Sequence, residues 1–369
     1  MEQMGTNAIY LFFAIAMLFI LFFAGYSTFI AKRSNTFYCA AIIVNISSYL
    51  GYIFRFIFEQ HQWVAAAHIN EIVIYAGSPL IAYFMLLCNC ERKSKVYKIT
   101  SIGQILYTIL CISSVFTGWL FVIDEVGKYS RGPLSVVAFA YAGVLELVWV
   151  IYLLFEYKSI AFRDKILIVS VALIELIAIV IQVIDTTYKY SILGSSFVLI
   201  LFYIFQIEIE CKYDKMTKIF NQRYYSIVTG TLTNQYAIIV FDINGLKAVN
   251  DNMGHEYGDK LITGVADSLK KGAGENNSVF RIGGDEFVII VKDTREAEIE
   301  KLIHNVKLYF QLKESELGME VSASIGTAIN TTEMDYVNLF RIADANMYKD
   351  KQAYYTRSGR DRRSVRRVG

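Results

Sequence analysis

The first 210 residues alternate between long apolar runs and short polar breaks. Seven runs, at about 7–31, 38–60, 71–90, 99–123, 134–157, 166–186 and 192–210, approach or exceed the roughly 20 residues an α-helix needs to cross a bilayer. They predict seven membrane spans. Past residue 211 the pattern becomes that of a mixed α/β protein. Residues 236–242 are an unbroken apolar run closed by Asp242, as in a strand covered on both faces. A polar stretch with short helical pieces follows, then an amphipathic helix opening at Asp259 and reaching about residue 271. After it come a hairpin around Gly283 and Gly284, a helix near 294–312, a strand near 321–328 and a helix near 336–351. Two domains are expected, 1–210 and 211–369, the second with a basic tail carrying six arginines between Arg357 and Arg367.

Composition agrees with this division. The chain is 55% hydrophobic and 15% aromatic with only two prolines, and the bias lies before residue 211. A net charge of +2 is too small to argue for nucleic acid as a partner. The five cysteines form no CxxC pair and have no matching histidine cluster, so neither a disulfide framework nor a zinc site is expected. The first run lacks a basic leader and a cleavage site and is read as a retained span.

Lysine and arginine set the expected orientation. Loops after spans one, three and five hold Lys32 and Arg33; Arg92, Lys93, Lys95 and Lys98; and Lys158, Arg163 and Lys165, nine in all, against Lys128, Arg131 and Lys189 in the others. The first group belongs in the cytoplasm, which puts the N-terminus outside and the second domain inside, at the inner membrane. Within spans, ionisable groups are expensive and mark candidate sites. Glu146 and Glu175 fall near the middles of spans five and six, and Arg55 toward the outer end of span two. They are sensor candidates for a small amphipathic molecule, a lipid or a proton. The structural alternative is that Arg55 snorkels to the surface and each glutamate is protonated or bonded to a neighbouring helix. Pro79 predicts a kink in span three beside a cavity. No loop in this half offers a nucleophile or a phosphate cradle. By span count and orientation it resembles the seven-span sensory modules that bacteria fuse ahead of signalling output domains. Span seven continues toward Tyr225 with no Gly or Pro, which predicts one helix running unbroken into the second domain.

The chemistry concentrates at Arg281-Ile-Gly-Gly-Asp-Glu-Phe287, a hairpin whose turn carries two acids. Gly283 and Gly284 supply either positive φ or close backbone approach to a ligand. Asp285 and Glu286 stand where a hard cation or a phosphate-bound metal is held. Such a turn is common by itself. Two strand-end acids, Asp242 and Asp285, recur however in enzymes that move phosphoryl or nucleotidyl groups between metal-clamped oxygens.

Asp214, Thr217, Asn221 and Arg223, then Asp242, Lys247, Asn250, Asp251, Gly254, His255, Gly258 and Asp259, then Gly283-Gly-Asp-Glu-Phe287, Ser324-Ile-Gly326, Ala343, Asp344, Tyr348 and Lys351 together resemble the GGDEF-domain diguanylate cyclases, over residues 212 to about 363. The resemblance implies a central, mostly antiparallel sheet like that of nucleotide cyclases and polymerase palms. It also implies condensation of two GTP molecules into cyclic di-GMP with release of pyrophosphate, in a homodimer where each subunit presents one GTP. By position, Asp242, the Ile243 carbonyl and Asp285 would bind Mg²⁺ or Mn²⁺, with Asp285 or Glu286 as base. Backbone around Gly245 and Leu246, with Lys247 and Lys351, would hold phosphates; Asn250 and Asp259 would read guanine, with His255 and the glycines Gly283 and Gly284 beside them. A carboxylate at Asp259 suits guanine, which offers N1–H and N2–H₂ together. Asn244 and Gly245 depart from the family pattern, which has Asp and an aromatic there. The arginine expected four residues after Lys351 is Tyr355, so Arg357 or Arg360 is the candidate replacement. The product-inhibition motif Arg-x-x-Asp is replaced by Gly274-Glu-Asn-Asn277. The alternative to an enzyme is a catalytically silent membrane adaptor that binds GTP or cyclic di-GMP. A transporter with an appended regulatory domain is disfavoured, since no internal repeat or paired broken helices are seen.

Overall fold

The N-terminal unit exposes large apolar side chains over its surface and buries a set of polar ones within its apolar interior, unlike a water-soluble protein. Phe12, Phe19, Phe22, Phe23, Phe155 and Phe116, the last 89% exposed, point outward, whereas Asn45, Ser48, Glu71, Glu146, Glu175, Ser195 and Ser196 are buried. The computed structural model describes residues 2–26, 32–156, 162–184, 189–232, 235–330 and 334–358. Two compact units result, Met1–Glu208 and Ile209–Gly369.

The first unit consists of α1 (Glu2–Tyr26), α2 (Lys32–Gln60), α3 (Val64–Asn89), α4 (Lys95–Thr117), α5 (Val136–Glu156), α6 (Phe162–Ile184) and the greater part of α7 (Tyr190–Lys212), with a small hairpin of β1 (Phe121–Ile123) and β2 (Tyr129–Arg131). All seven helices are long and apolar enough to cross a membrane. Polar contacts inside tie them together. Tyr49 Oη lies 2.8 Å from Ser196 Oγ, which donates to Asn45 Oδ1 at 3.0 Å, and the Tyr38 hydroxyl donates to the Leu199 carbonyl at 2.7 Å. In hydrocarbon such bonds satisfy groups that water cannot reach.

Two expectations for this half need correction. Span four ends at Thr117, not near residue 123: Gly118 takes φ 66°, a left-handed helix stop, and Phe121–Ile123 pairs with Tyr129–Arg131 as a hairpin. Span seven does not run on to Tyr225. Its helix stops at Lys212, because the Asn221 carboxamide donates to the carbonyls of Cys211 (3.1 Å) and Tyr213 (3.3 Å), and the Asp214 side chain folds the next residues into a turn through the Thr217 N–H. Residues 27–31 of span one and Lys158 lie outside the described residues.

The second unit carries α8 (Gln222–Thr229), β3 (Ala237–Ile243), α9 (Leu246–Met253), α10 (His255–Ala273), β4 (Ser278–Arg281), β5 (Glu286–Val291), α11 (Glu296–Leu317), β6 (Ala323–Ile329) and α12 (Tyr336–Ser358). The sheet order is β4-β5-β3-β6, with each neighbouring pair antiparallel. Every residue of β3 is buried. Ile239, Phe241 and Ile243 face a core completed by Leu261, Val265 and Leu269 of α10 and Val306 and Phe310 of α11. Ile238 and Val240 face the opposite core, with Leu339, Ala343 and Met347 of α12. Alternation along a strand supplies both faces from one sequence run. Helix α10 starts at His255, four residues before Asp259, because Gly254 at φ 89° separates it from α9. Helix α12 extends past Lys351 to Ser358.

Candidate active site

Strand β3 delivers Asp242 to the end of the sheet, and its register sets Asp242 opposite Glu286 on one side and Ser324 on the other. The Ile243 N–H donates to the Asp285 carbonyl at 3.0 Å, which fastens the hairpin turn to the strand end. Across the turn, the N–H groups of Ile282 (3.0 Å) and Gly283 (3.3 Å) both donate to the Glu286 carbonyl. Neither Gly283 nor Gly284 takes a positive φ, so of the two expected uses of these glycines the left-handed turn is ruled out. A Cβ on Gly283 would lie 2.8 Å from the Glu286 carboxylate, and the space at Gly284 is open. Gly283 therefore serves close approach of the Glu286 side chain, and neither φ nor the surrounding space requires glycine at 284.

Lys351, on α12, reaches back so that its Nζ lies 2.6 Å from Asp242 Oδ1. Burial pushes the Asp242 carboxyl above the usual carboxylate range; Lys351 opposes this, and the charges of Asp285 and Asp344 add to it. Glu286 is raised as well, by partial burial and then by Asp242, Asp285 and Asp344, although the residue as a whole is exposed. Asp344 was not among the expected site residues; its place one turn before Tyr348 and two turns before Lys351 on α12 was the available signal.

The expected donors for a metal are two carboxylates, Asp242 and Asp285, and the Ile243 carbonyl. All are hard oxygens, gathered where negative charge already raises a carboxyl, and this fits Mg²⁺ or Mn²⁺ with phosphate oxygens completing the shell. Among the described residues, no three His, Cys, Asp or Glu side chains are arranged to hold an ion by themselves.

After β3 the chain turns at Gly245, φ 70°, directly into α9. Leu246, Lys247 and Asn250 lie on α9, with Lys247 exposed; His255 and Asp259 lie exposed on α10. The two helices meet where Gly258 faces Asn250: a Cβ at 258 would collide with the Asn250 carboxamide. Asn250 is thereby brought beside the residue preceding Asp259. Asn244 turns its side chain to the sheet end, accepting from Ser324 Oγ (2.7 Å) and donating to Ser322 Oγ (3.3 Å). Of the two candidate replacement arginines, Arg357 donates to the Ala353 carbonyl on its own helix at 3.2 Å, and Arg360 lies outside the described residues.

One positioning group had no expected role. Arg281 donates to the carbonyls of Gly283 (3.2 Å) and Gly284 (2.9 Å) and to Asp214 Oδ1 (3.1 Å), clamping the acidic turn. Burial would raise the Asp214 carboxyl, but the Thr217 hydroxyl and N–H together with the Arg281 guanidinium hold it below its usual value. In the first unit, Arg55 does not snorkel: its Nε and Nη2 donate to the two Glu71 oxygens at 2.7 and 2.5 Å. Glu71 is 1% exposed and was also unanticipated.

The family description "Diguanylate cyclase, GGDEF domain" matches residues 211–357. The signalling protein YkoW of Bacillus subtilis is 33% identical over 174 residues, covering 42% of this chain and 22% of the relative. The probable diguanylate cyclase DgcF of Escherichia coli O157:H7 is 28% identical over 176 residues, covering 44% and 36%. The chain thus spans well under two thirds of the length of these relatives. A solved GGDEF domain described as interacting with cyclic di-GMP is 27% identical, with a TM-score of 0.34, covering 39% of this chain and 94% of that one. Behind seven helices long and apolar enough to span a membrane, the chain carries a GGDEF domain of the diguanylate cyclase family.

Proposed function

We propose that this protein is a membrane-bound diguanylate cyclase, condensing two GTP molecules into cyclic di-GMP with release of two pyrophosphates. Residues 1–210 form its sensor and residues 211–369 its output domain, which lies on the cytoplasmic side of the inner membrane with the N-terminus outside. The reading rests above all on the register that sets Asp242 opposite Glu286 and ties Ile243 to Asp285. It gathers carboxylates at one strand end, with Lys351 as counter-charge.

In this reading Asp242, the Ile243 carbonyl and Asp285 hold a divalent cation. A bound Mg²⁺ would neutralise phosphate charge and lower the pKa of the attacking 3′-hydroxyl. Lys247, Lys351 and the backbone at Gly245 and Leu246 hold the outer phosphates. Asn250 and Asp259 accept and orient the guanine edge. Glu286, or Asp285 beside it, takes the proton from the 3′-hydroxyl, and the upward shift at Glu286 makes it a stronger base for that transfer than an ordinary carboxylate. The 3′-oxygen bonds to the α-phosphorus of the GTP on the partner subunit while the α–β phosphoanhydride breaks and pyrophosphate leaves. A second such transfer closes the ring. Each subunit holds one GTP, so a homodimer is required.

The test is to incubate the purified full chain in detergent with GTP and Mg²⁺ and to measure cyclic di-GMP by chromatography. Wild type is expected to make it and Asp285→Ala to make none at an unchanged melting temperature. A wild-type dimer that binds GTP and yields no product overturns the enzyme reading in favour of a silent adaptor.

A further inference from the structure

Helices α3, α5, α6 and α7 line a small, partly open cavity of about 20 Å³, to which Ser78, Glu146, Trp149, Glu175 and Ser195 contribute. Both glutamates are buried, Glu146 at 4% and Glu175 at 6% exposure. Glu175 Oε1 accepts from Ser195 Oγ at 3.0 Å. Its second oxygen, Oε2, and Glu146 Oε1 have no hydrogen-bond partner among the described residues. Neither do two donors of other lining residues, Ser78 Oγ of α3 and the Nε1–H of Trp149 of α5, the latter residue 2% exposed. No Lys, Arg or His lines this cavity among the described residues.

Unpaired acceptors and unpaired donors on residues around one space are costly, because a buried polar group gives up its bonds to water and gains none in return. They do not satisfy one another here. A proton on either carboxyl leaves the indole N–H without an acceptor. An alkali ion takes oxygen donors and likewise offers the indole nothing. A species that both donates and accepts answers the whole set, and the two carboxyls require that its donor end be cationic.

We propose that Glu146 and Glu175 bind the ammonium group of a small amine whose neighbouring hydroxyl or carbonyl oxygen accepts from Trp149 and Ser78. The site is the ligand pocket of the seven-helix unit. The inference deepens the sensor reading and rests on it. Binding is read without GTP, so its failure and a failure of cyclase activity are separate results.

The probe is ethanolamine, added to the full-length protein in detergent at constant pH and ionic strength. Its thermal unfolding is compared with that in propylamine, ethylene glycol and sodium chloride. Ethanolamine is expected to raise the melting temperature more than propylamine, and the two neutral or inorganic controls not at all. Glu146→Gln with Glu175→Gln should abolish the shift, and Trp149→Phe should weaken the apparent affinity for ethanolamine several-fold. Should the glutamine variants fail to fold, Trp63→Phe with Trp119→Phe leaves Trp149 as the sole tryptophan of three. Its emission should then respond saturably to ethanolamine. An equal response to ethylene glycol, or to sodium chloride, overturns the proposal. So does a shift on acidification alone with none on adding amine, which would leave a proton site.

Discussion

Lys351 Nζ lies 2.6 Å from Asp242 Oδ1, so the last helix is pinned to the end of the central strand by an ion pair within the candidate active site. Hydrogen bonds to charged groups contribute about 1.5–3 kcal/mol. Lys351→Met is therefore expected to weaken GTP binding about ten- to a hundredfold, measured by calorimetry at fixed Mg²⁺. Unchanged affinity would show that Lys351 serves only to dock α12.

Gly326, on β6, packs directly under α12. A Cβ there would collide with the backbone of Ala343 and Met347, which no side-chain rotation relieves. Gly326→Ala should cost at least the about 1–3 kcal/mol typical of overpacking. Thermal unfolding of the full chain checks this, and a variant that melts with wild type contradicts it.

The Asp214–Arg281 clamp carries a pH dependence. A folded-state pKa below the unfolded value means stability that is present above the unfolded value, about 3.9, and is lost as pH falls through the folded one. Asp214→Asn should be less stable than wild type at pH 7, with the difference shrinking below about pH 4. Denaturation midpoints across that range test the sign; a gap that widens on acidification refutes it.

Arg55 and Glu71 form a buried pair, and removing one partner strands the other. Glu71→Ala is expected to destabilise the helical unit by about 3–5 kcal/mol, while replacing both residues by Met restores most of the loss. Melting temperatures in detergent decide between this and an Arg55 held free for a ligand.

Asn277 stands where the family's product-inhibition motif would end. Its side chain donates to the Ala273 carbonyl at 2.8 Å and accepts from the Lys292 N–H at 3.3 Å, so it closes the turn between α10 and β4. Cyclic di-GMP is expected to inhibit, if at all, only by competing with GTP. Potent noncompetitive inhibition in initial-rate kinetics would be the contrary result.

The sequence alone determined the seven apolar helices, the antiparallel GGDEF architecture and the placing of Asp242 at a strand end beside the acidic hairpin. Each of these is written in local periodicity or in motif spacing. Tertiary structure decided what depends on partners distant in the chain. The stop at Lys212 needs Asn221, and the hairpin that shortens span four needs Tyr129–Arg131 opposite Phe121–Ile123. Glu71 claims Arg55 across two helices, and Arg281 claims Asp214 across 67 positions. Such pairs leave no periodic trace, because a single salt bridge or cap is set by where two backbones pass rather than by a repeating pattern. The cavity between Glu146 and Glu175 is of the same kind. Each glutamate was visible as a charge in an apolar run, but its neighbours around the cavity, Trp149 and Ser78, and the polar atoms left unpaired among the described residues, exist only once four helices are packed.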